Sequence, residues 1–441
     1  MSSRGLTCLL GTVGLVLAGC GDTWLGSQEV NRLPGERISV LAHEQALKPE
    51  PDLAGKVALP KPRANVSWPQ SGGYPQHAMH HLSIGEPIKE VWSSNIGRGS
   101  GKRERLLGSP LVVEKRAFAI DAHAEVSAYD VSDGHRLWSV SAAPEDADSA
   151  SLAGGGIAFA GGRIFATTGF GQVVALEAET GKEIWRQPVG APVRSAPTVA
   201  GDRVFVVNKD NELRVLSASD GHELWVHNGI VETASLLGGP SPAVDGGTVV
   251  VAYSSGELFA LRADNGNVLW SDVLTSVKRT DAVSKMSDII GHPVISRGRV
   301  YVVGHSGLTV AVDMRSGQRL WEMSLGGIQQ PWIAGNFLFA VSNDNDLVAV
   351  AAIPGQIVWV TQLDTWQDKE ERKGRIVWSG PVLAGNRLII VGSHGKALSV
   401  SPYTGKILGE EEMPAGVSIP PVVAGESLYF LTEDADLVAY R

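Results

Sequence analysis

A glycine followed four residues later by a tryptophan recurs down this chain, at Gly134/Trp138, Gly181/Trp185, Gly221/Trp225, Gly266/Trp270, Gly317/Trp321 and Gly355/Trp359. Self-similarity at a spacing of about 40–50 residues constrains the fold more than any single residue does. A unit that short cannot bury its apolar face alone and must stack on its neighbours. Residues 196–225 show what one unit contains: APTVAG, RVFVVN, KDNE, LRVLSA, SDGH and ELW, which are β-rich runs separated by clusters of Asp, Asn and Gly. Gly201 and Gly221 fall at reversals where a positive φ is free of steric cost only for glycine. Each unit therefore predicts a small antiparallel meander. Related text near Ser109, Gly155, Ser241, Pro293, Pro331, Pro381 and Pro421 brings the number of units to eight.

The last unit, PPVVAG, SLYFLT, EDAD and LVAYR, stops at Arg441 without its Gly-x-x-x-Trp strand, while an orphan Glu90-Val91-Trp92 precedes the first full unit. Joining the two closes a ring and protects its ends. The expected fold is all-β: an eight-bladed β-propeller of four-stranded antiparallel blades over residues 90–441, 44 per blade, in which an N-terminal strand completes the last blade. A linear solenoid is the alternative, but it needs a capping repeat at each end and leaves Trp92 without a role. The seventh unit departs from the pattern, since Gly405 is followed by Gly409 where Trp belongs, and its rim is expected to bury less apolar area.

Residues 1–19 read as a targeting segment, with Arg4 followed by an apolar run from Leu6 to Leu17. Leu17-Ala18-Gly19-Cys20 is similar to a bacterial lipobox, in which Cys20 becomes the lipidated first residue. An ordinary secretory signal is the other reading. Acyl chains, at about 0.8 kcal/mol per buried CH₂, hold such a protein on a membrane. Gly21 after the Cys favours the outer membrane by similarity to sorted lipoproteins. Cys8 leaves with the signal, so the processed chain has no free thiol and no disulfide. The net charge of −9 becomes −10, and without a basic run it argues against nucleic acid as a partner. Residues 20–64 read as lipidated Cys and flexible tether, with prolines 34, 49, 51, 60 and 62 and a reach of roughly 35–40 Å. Residues 65–89 form a pre-propeller segment whose aromatic, Pro/Gly-rich stretch 68–79 is expected to lie over the ring as a strap.

Function on a rigid ring is expected where connection lengths vary. Between Trp270 and Pro293 lie 22 residues, between Trp359 and Pro381 21, and between Trp225 and Pro242 16, against 9 between Trp321 and Pro331. Loops beyond about 12 residues on such a scaffold are commonly functional. The loops 231–239 and 275–292 flank one blade. They set the apolar residues Leu236, Leu237, Met286 and Ile289 among Lys278, Arg279, Asp281, Lys285 and Asp288. An apolar centre with a mixed-charge rim is the composition of a protein-binding patch. The bland alternative tucks the leucines into the ring and leaves the charges solvated.

Lipobox, tether and eight blades, most carrying Ala-x-x-x-x-x-Gly-x-x-x-Trp ends, together resemble the BamB family, the lipoprotein propellers of the β-barrel assembly machinery, whose repeats belong to the PQQ-like propeller superfamily. Residues 286–293 (MSDIIGHP) are similar to that family's Leu-Ser-Asp-Val-Asp-x-x-Pro stretch, with the first Asp on Asp288 and the second on Ile290, a departure. A family Leu-Arg pair falls on Leu236 and Leu237, so the Leu is kept and the Arg is not. The resemblance implies a non-catalytic scaffold without cofactor, bound to a periplasmic POTRA domain of the insertase BamA and orienting unfolded outer-membrane protein precursors. It places contacts at Leu236 and Asp288; the loop composition adds Leu237 and Ile289, with Arg279 or Lys285 expected to supply the missing charge.

The same repeat type builds PQQ-dependent dehydrogenases, and other exported protein-binding propellers form a further class. The dehydrogenase site resembles a quinone disc between a tryptophan floor and a vicinal disulfide, with Ca²⁺ on Glu, Asn and Asp; this chain has no cysteine pair. His77, His80 and His81 lack the carboxylate or cysteine spacing of a metal site. Asp344-Asn345-Asp346 and Asp434-Ala435-Asp436 fall at hairpin turns, where Asp and Asn serve their own backbone. No nucleophile-elbow motif accompanies the Ser and His residues.

Overall fold

The computed structural model describes residues 47–86, 88–101, 104–145, 154–274 and 288–441. Eight four-stranded antiparallel sheets follow one another along the chain and form an eight-bladed β-propeller. We number the blades by their first, innermost strands: Leu111–Val113, Gly155–Ala160, Thr198–Ala200, Ala243–Asp245, Val294–Ser296, Trp332–Ala334, Trp378–Ala384 and Val422–Ala424. The ring closes because Leu111–Val113 touches both Gly155–Ala160 and Val422–Ala424. Glu90–Asn95 is the outermost strand of blade 8, paired antiparallel with Asp436–Tyr440, so the N-terminal strand completes the last blade as expected.

Second and third strands are apolar almost throughout rather than alternating. Both faces of each blade are covered by a neighbour, and each face demands side chains without polar atoms. Val204, Phe205, Val206 and Val207 are all buried in blade 3, and Phe205 and Val204 belong to the clusters on opposite sides of that sheet. Outer strands alternate instead, as in Glu223–Asn228, where one edge meets solvent.

The glycine and tryptophan of the repeat turn out to serve different interfaces. Each indole Nε1 donates to a carbonyl of the next blade, from Trp92 to Val131 through Trp359 to Pro402, at 2.8–3.3 Å. Each indole also lies on the next blade's turn glycine: a Cβ on Gly221 would stand 2.6 Å from Trp185, and one on Gly266 2.6 Å from Trp225. Gly221 and Gly266 also hold φ of 79° and 76°. Glycine is thus demanded twice, by backbone conformation and by close approach. Blade 8 has no such turn because its outer strand is Glu90–Asn95, and Gly409 stands where the indole of blade 7 would have reached for it.

Residues 65–82 wind once around the inside of the ring. Asn65 Nδ2 donates to Val423 O of blade 8 at 2.7 Å. Trp68 exchanges two backbone hydrogen bonds with Val112 of blade 1, and Pro69 O accepts from Phe159 N of blade 2. The Gln70 amide holds Val199 of blade 3, while Pro75 O and Gln76 O accept from Val244 N and Ile295 N of blades 4 and 5. His80 O accepts from Trp332 Nε1 of blade 6, and Leu82 N donates to Leu383 O of blade 7. Val112, Phe159, Val199, Val244, Ile295, Leu383 and Val423 occupy one register position of the innermost strand. The strap therefore holds the free inner edge of seven blades in order, and fastens blade 6 through the Trp332 indole instead.

Of the stretch read as tether, residues 47–64 pack on the ring. Glu50 N donates to Ile357 O at 2.8 Å, Val57 is buried, and Pro60 O is held by His81 Nδ1 at 2.6 Å. Composition concealed this because prolines and single backbone bonds leave no strand or helix period. The remainder of the expected tether, with Cys20, lies outside the described residues.

Candidate functional site

The connections from each fourth strand to the next blade surround the channel mouth, where they form a cup of about 240 Å³. Its floor includes Trp68 of the strap and Trp332, stacked at 6.3 Å and 20°. Its wall carries apolar side chains from successive connections: Leu107, Leu237, Ile290, Ile328 and Val377. Among the described residues lining it, Arg194 is the one formal charge. That is a distinctive environment in a chain of net charge −9.

Beneath the wall His292 and His77 pack ring to ring at 5.1 Å. The backbone N–H of Ser241 donates to His292 Nδ1 at 2.8 Å, so His292 Nε2 carries the proton and donates to Ser71 Oγ at 2.9 Å. His77 Nδ1 donates to the Pro293 carbonyl at 2.8 Å. Burial lowers His77 to about 4 and His292 to about 3, so both are neutral clamps between strap and blade 5. His81 is likewise committed, accepting from Asn386 N at Nε2. His77 and His81 thus spend ring nitrogens on backbone, whereas His80 Nδ1 is buried without a partner.

The expected contact residues separate into two kinds. Leu237 is 43% exposed and lines the cup, while Leu236 lines an adjoining hollow of about 440 Å³ with His305, Asn343, Arg375 and Trp378. Asp288 and Ile289, expected at the surface, are buried at 2% and 1% exposure. The physical reason is that the chain turns inward before Pro293: Ile289 joins the apolar core between blades 4 and 5, and Asp288 Oδ1 accepts from Leu236 N at 3.3 Å. Burial pushes the Asp288 carboxyl up, with the Leu236 N–H working the other way. Asp288 is therefore a positioning residue for the leucine loop, and neither it nor Ile289 is free contact surface. Arg279 and Lys285 lie outside the described residues.

Two features were missed. Ile230 and Val231, at 61% and 63% exposure, extend the apolar loop, and their signal was an uninterrupted apolar pair in a connection. A hairpin of Trp366–Asp368 with Lys373–Arg375 rises before blade 7, signalled only by the length of its connection.

A family model described as outer membrane protein assembly factor BamB matches residues 88–154 and 122–361. The chain belongs to the BamB family. BamB of Salmonella typhimurium is 27% identical over 353 residues, which cover 79% of this chain and 88% of that protein. The solved BamB of Moraxella catarrhalis superposes with a TM-score of 0.68 at 19% identity, over 80% of this chain and 99% of that one. A europium-containing methanol dehydrogenase superposes almost as well, with a TM-score of 0.66 at 15% identity over 83% of this chain and 89% of that one. The last two likenesses establish the fold alone. Membership of the BamB family supports a role in outer membrane protein assembly, as one component of the assembly complex.

Proposed function

We propose that this protein is a non-catalytic scaffold lipoprotein of the outer-membrane β-barrel assembly complex. In this reading residues 1–19 are removed, Cys20 carries the acyl chains on the periplasmic face of the outer membrane, and the following residues up to 46 are the leash. The loop face at the channel mouth binds a periplasmic POTRA domain of BamA and supports insertion of outer-membrane proteins. The observation that carries this reading is the loop that exposes Ile230, Val231 and Leu237 while Asp288 pins its backbone from below. Exposed apolar side chains on a pre-ordered loop bind with less ordering cost than a mobile one.

The test is co-purification of BamA with a Val231→Asp, Leu237→Asp double variant. Both side chains point to solvent, so the ring keeps its fold, which circular dichroism checks. Loss of BamA is expected, and undiminished recovery overturns the assigned surface. Cys20→Ser is expected to release the protein from the membrane fraction.

A further inference from the structure

At seven of the eight seams an indole fills the space between neighbouring outer strands, and the blade 7–8 seam lacks it. The outer strand of blade 7, Ile407–Glu412, is exposed at all six positions, with Ile407 at 52% and Leu408 at 56%. It is last in its sheet, joined to it by the ladder to Lys396–Val400. Beside it runs a groove of about 430 Å³ walled by Ile389, Leu398, Met413, Leu428, Phe430 and Tyr440. A Cβ on Gly409 meets nothing within 4 Å, and Gly409 is not among the glycines of positive φ. Space and backbone there accept a side chain that the sequence does not supply.

The rim of this groove is acidic. Glu410 and Glu412 share Lys396, and Glu86 is paired with Arg387. Glu411 and Glu90 have no cationic partner among the described residues, with Lys89 the nearby cation in the groove's extension. Both carboxylates face the buried Tyr440 ring, whose hydroxyl is raised by burial and then by these two charges. An apolar slot with unpaired carboxylates beside an open strand edge specifies its occupant by edge pairing, an apolar anchor and positive charge.

We propose that the seam between blades 7 and 8 is a docking groove for an extended peptide segment. The segment pairs with the free edge of Ile407–Glu412, seats a bulky apolar side chain in the slot beside Gly409, and sets Lys or Arg against Glu411 and Glu90. The site lies on the outer rim and is independent of the loop face assigned to BamA.

The experiment uses the acylated full-length protein in detergent and a fluorescein-labelled peptide with a central Trp flanked by Val and Lys. Its control carries Glu for Lys. Binding is read by anisotropy and the site by hydrogen-exchange protection of amides 407–412. The Lys peptide is expected to bind and protect these amides, and the Glu control to bind at least about tenfold more weakly. Gly409→Trp, which supplies the indole from within, is expected to weaken binding at least about tenfold while BamA recovery stays unchanged. Glu411→Lys provides a second arm should Gly409→Trp melt early. Equal binding by wild type and both variants, or protection elsewhere on the ring, overturns the proposal.

Discussion

The side-chain amide of Gln70 grips both backbone groups of Val199, accepting its N–H at 2.9 Å and donating to its C=O at 2.8 Å. A side chain here replaces a neighbouring strand, because the amide presents donor and acceptor at the spacing of a peptide unit. Gln70 is 4% exposed, so water has little access to either bond. Gln70→Ala leaves the N–H and C=O of Val199 unsatisfied, which costs about 1–3 kcal/mol per buried group. We expect a lower urea midpoint with an unchanged m-value. Gln70→Glu, which keeps the acceptor only, is expected to be destabilising too, since it also buries a charge.

Gly221→Ala tests the double demand on the repeat glycine. The added methyl meets Trp185 at 2.6 Å and inherits a φ of 79°. Strain and overpacking together are expected to cost roughly 2–4 kcal/mol. Gly201→Ala, with a φ of 62° and nothing within 4 Å, is expected to cost only the conformational part. Equal thermal shifts for the two variants contradict this account.

His77 and His292 make the strap acid-sensitive. Their folded values, about 4 and about 3, lie below the ordinary 6.5, so the folded state binds fewer protons than the unfolded chain. Their contribution to stability is complete above pH 6.5 and is lost as pH falls from 6.5 through those lower values. At about 1.4 kcal/mol per pH unit and group the loss by pH 4 reaches a few kcal/mol. Denaturant midpoints measured from pH 7 to 4.5 should fall, and fall less in His77→Asn, whose amide can still donate to Pro293.

Asp288 has the opposite sign. Its folded value is raised, so ionisation opposes folding, and the stability it contributes is present below the ordinary 3.8 and lost as pH rises through the raised value. Asp288→Asn keeps an oxygen for Leu236 N and removes the buried charge. At neutral pH we expect stability equal to or above wild type, with the difference shrinking towards pH 3.8. Asp288→Ala, which orphans the Leu236 N–H, should loosen the loop and weaken BamA recovery without touching an exposed residue.

The ring was legible because its determinants are periodic. Gly221 and Trp225 sit at fixed offsets in nearly every unit, and the orphan Trp92 revealed how the circle closes. The strap's path was not legible, since Gln70, Pro75 and Leu82 each bond to a blade more than a hundred residues away, with no repeat between them. The site was half legible. The long connection before Pro242 pointed to Leu237, but sequence could not tell that Ile289 and Asp288 turn inward, because a loop has no burial period to read. The docking groove had one trace, the glycine at 409.

Asn65 precedes its partner Val423 by 358 positions, and every blade that the strap fastens is made after the strap itself. A chain delivered from its N-terminus presents this segment first and can use it last. Contacts of such sequence separation form slowly. Until Asp436–Tyr440 has emerged, the circle lacks the strand that Glu90–Asn95 must join. Closure is therefore a late event, and a chain cut short before Asp436 leaves Glu90–Asn95 without its partner strand.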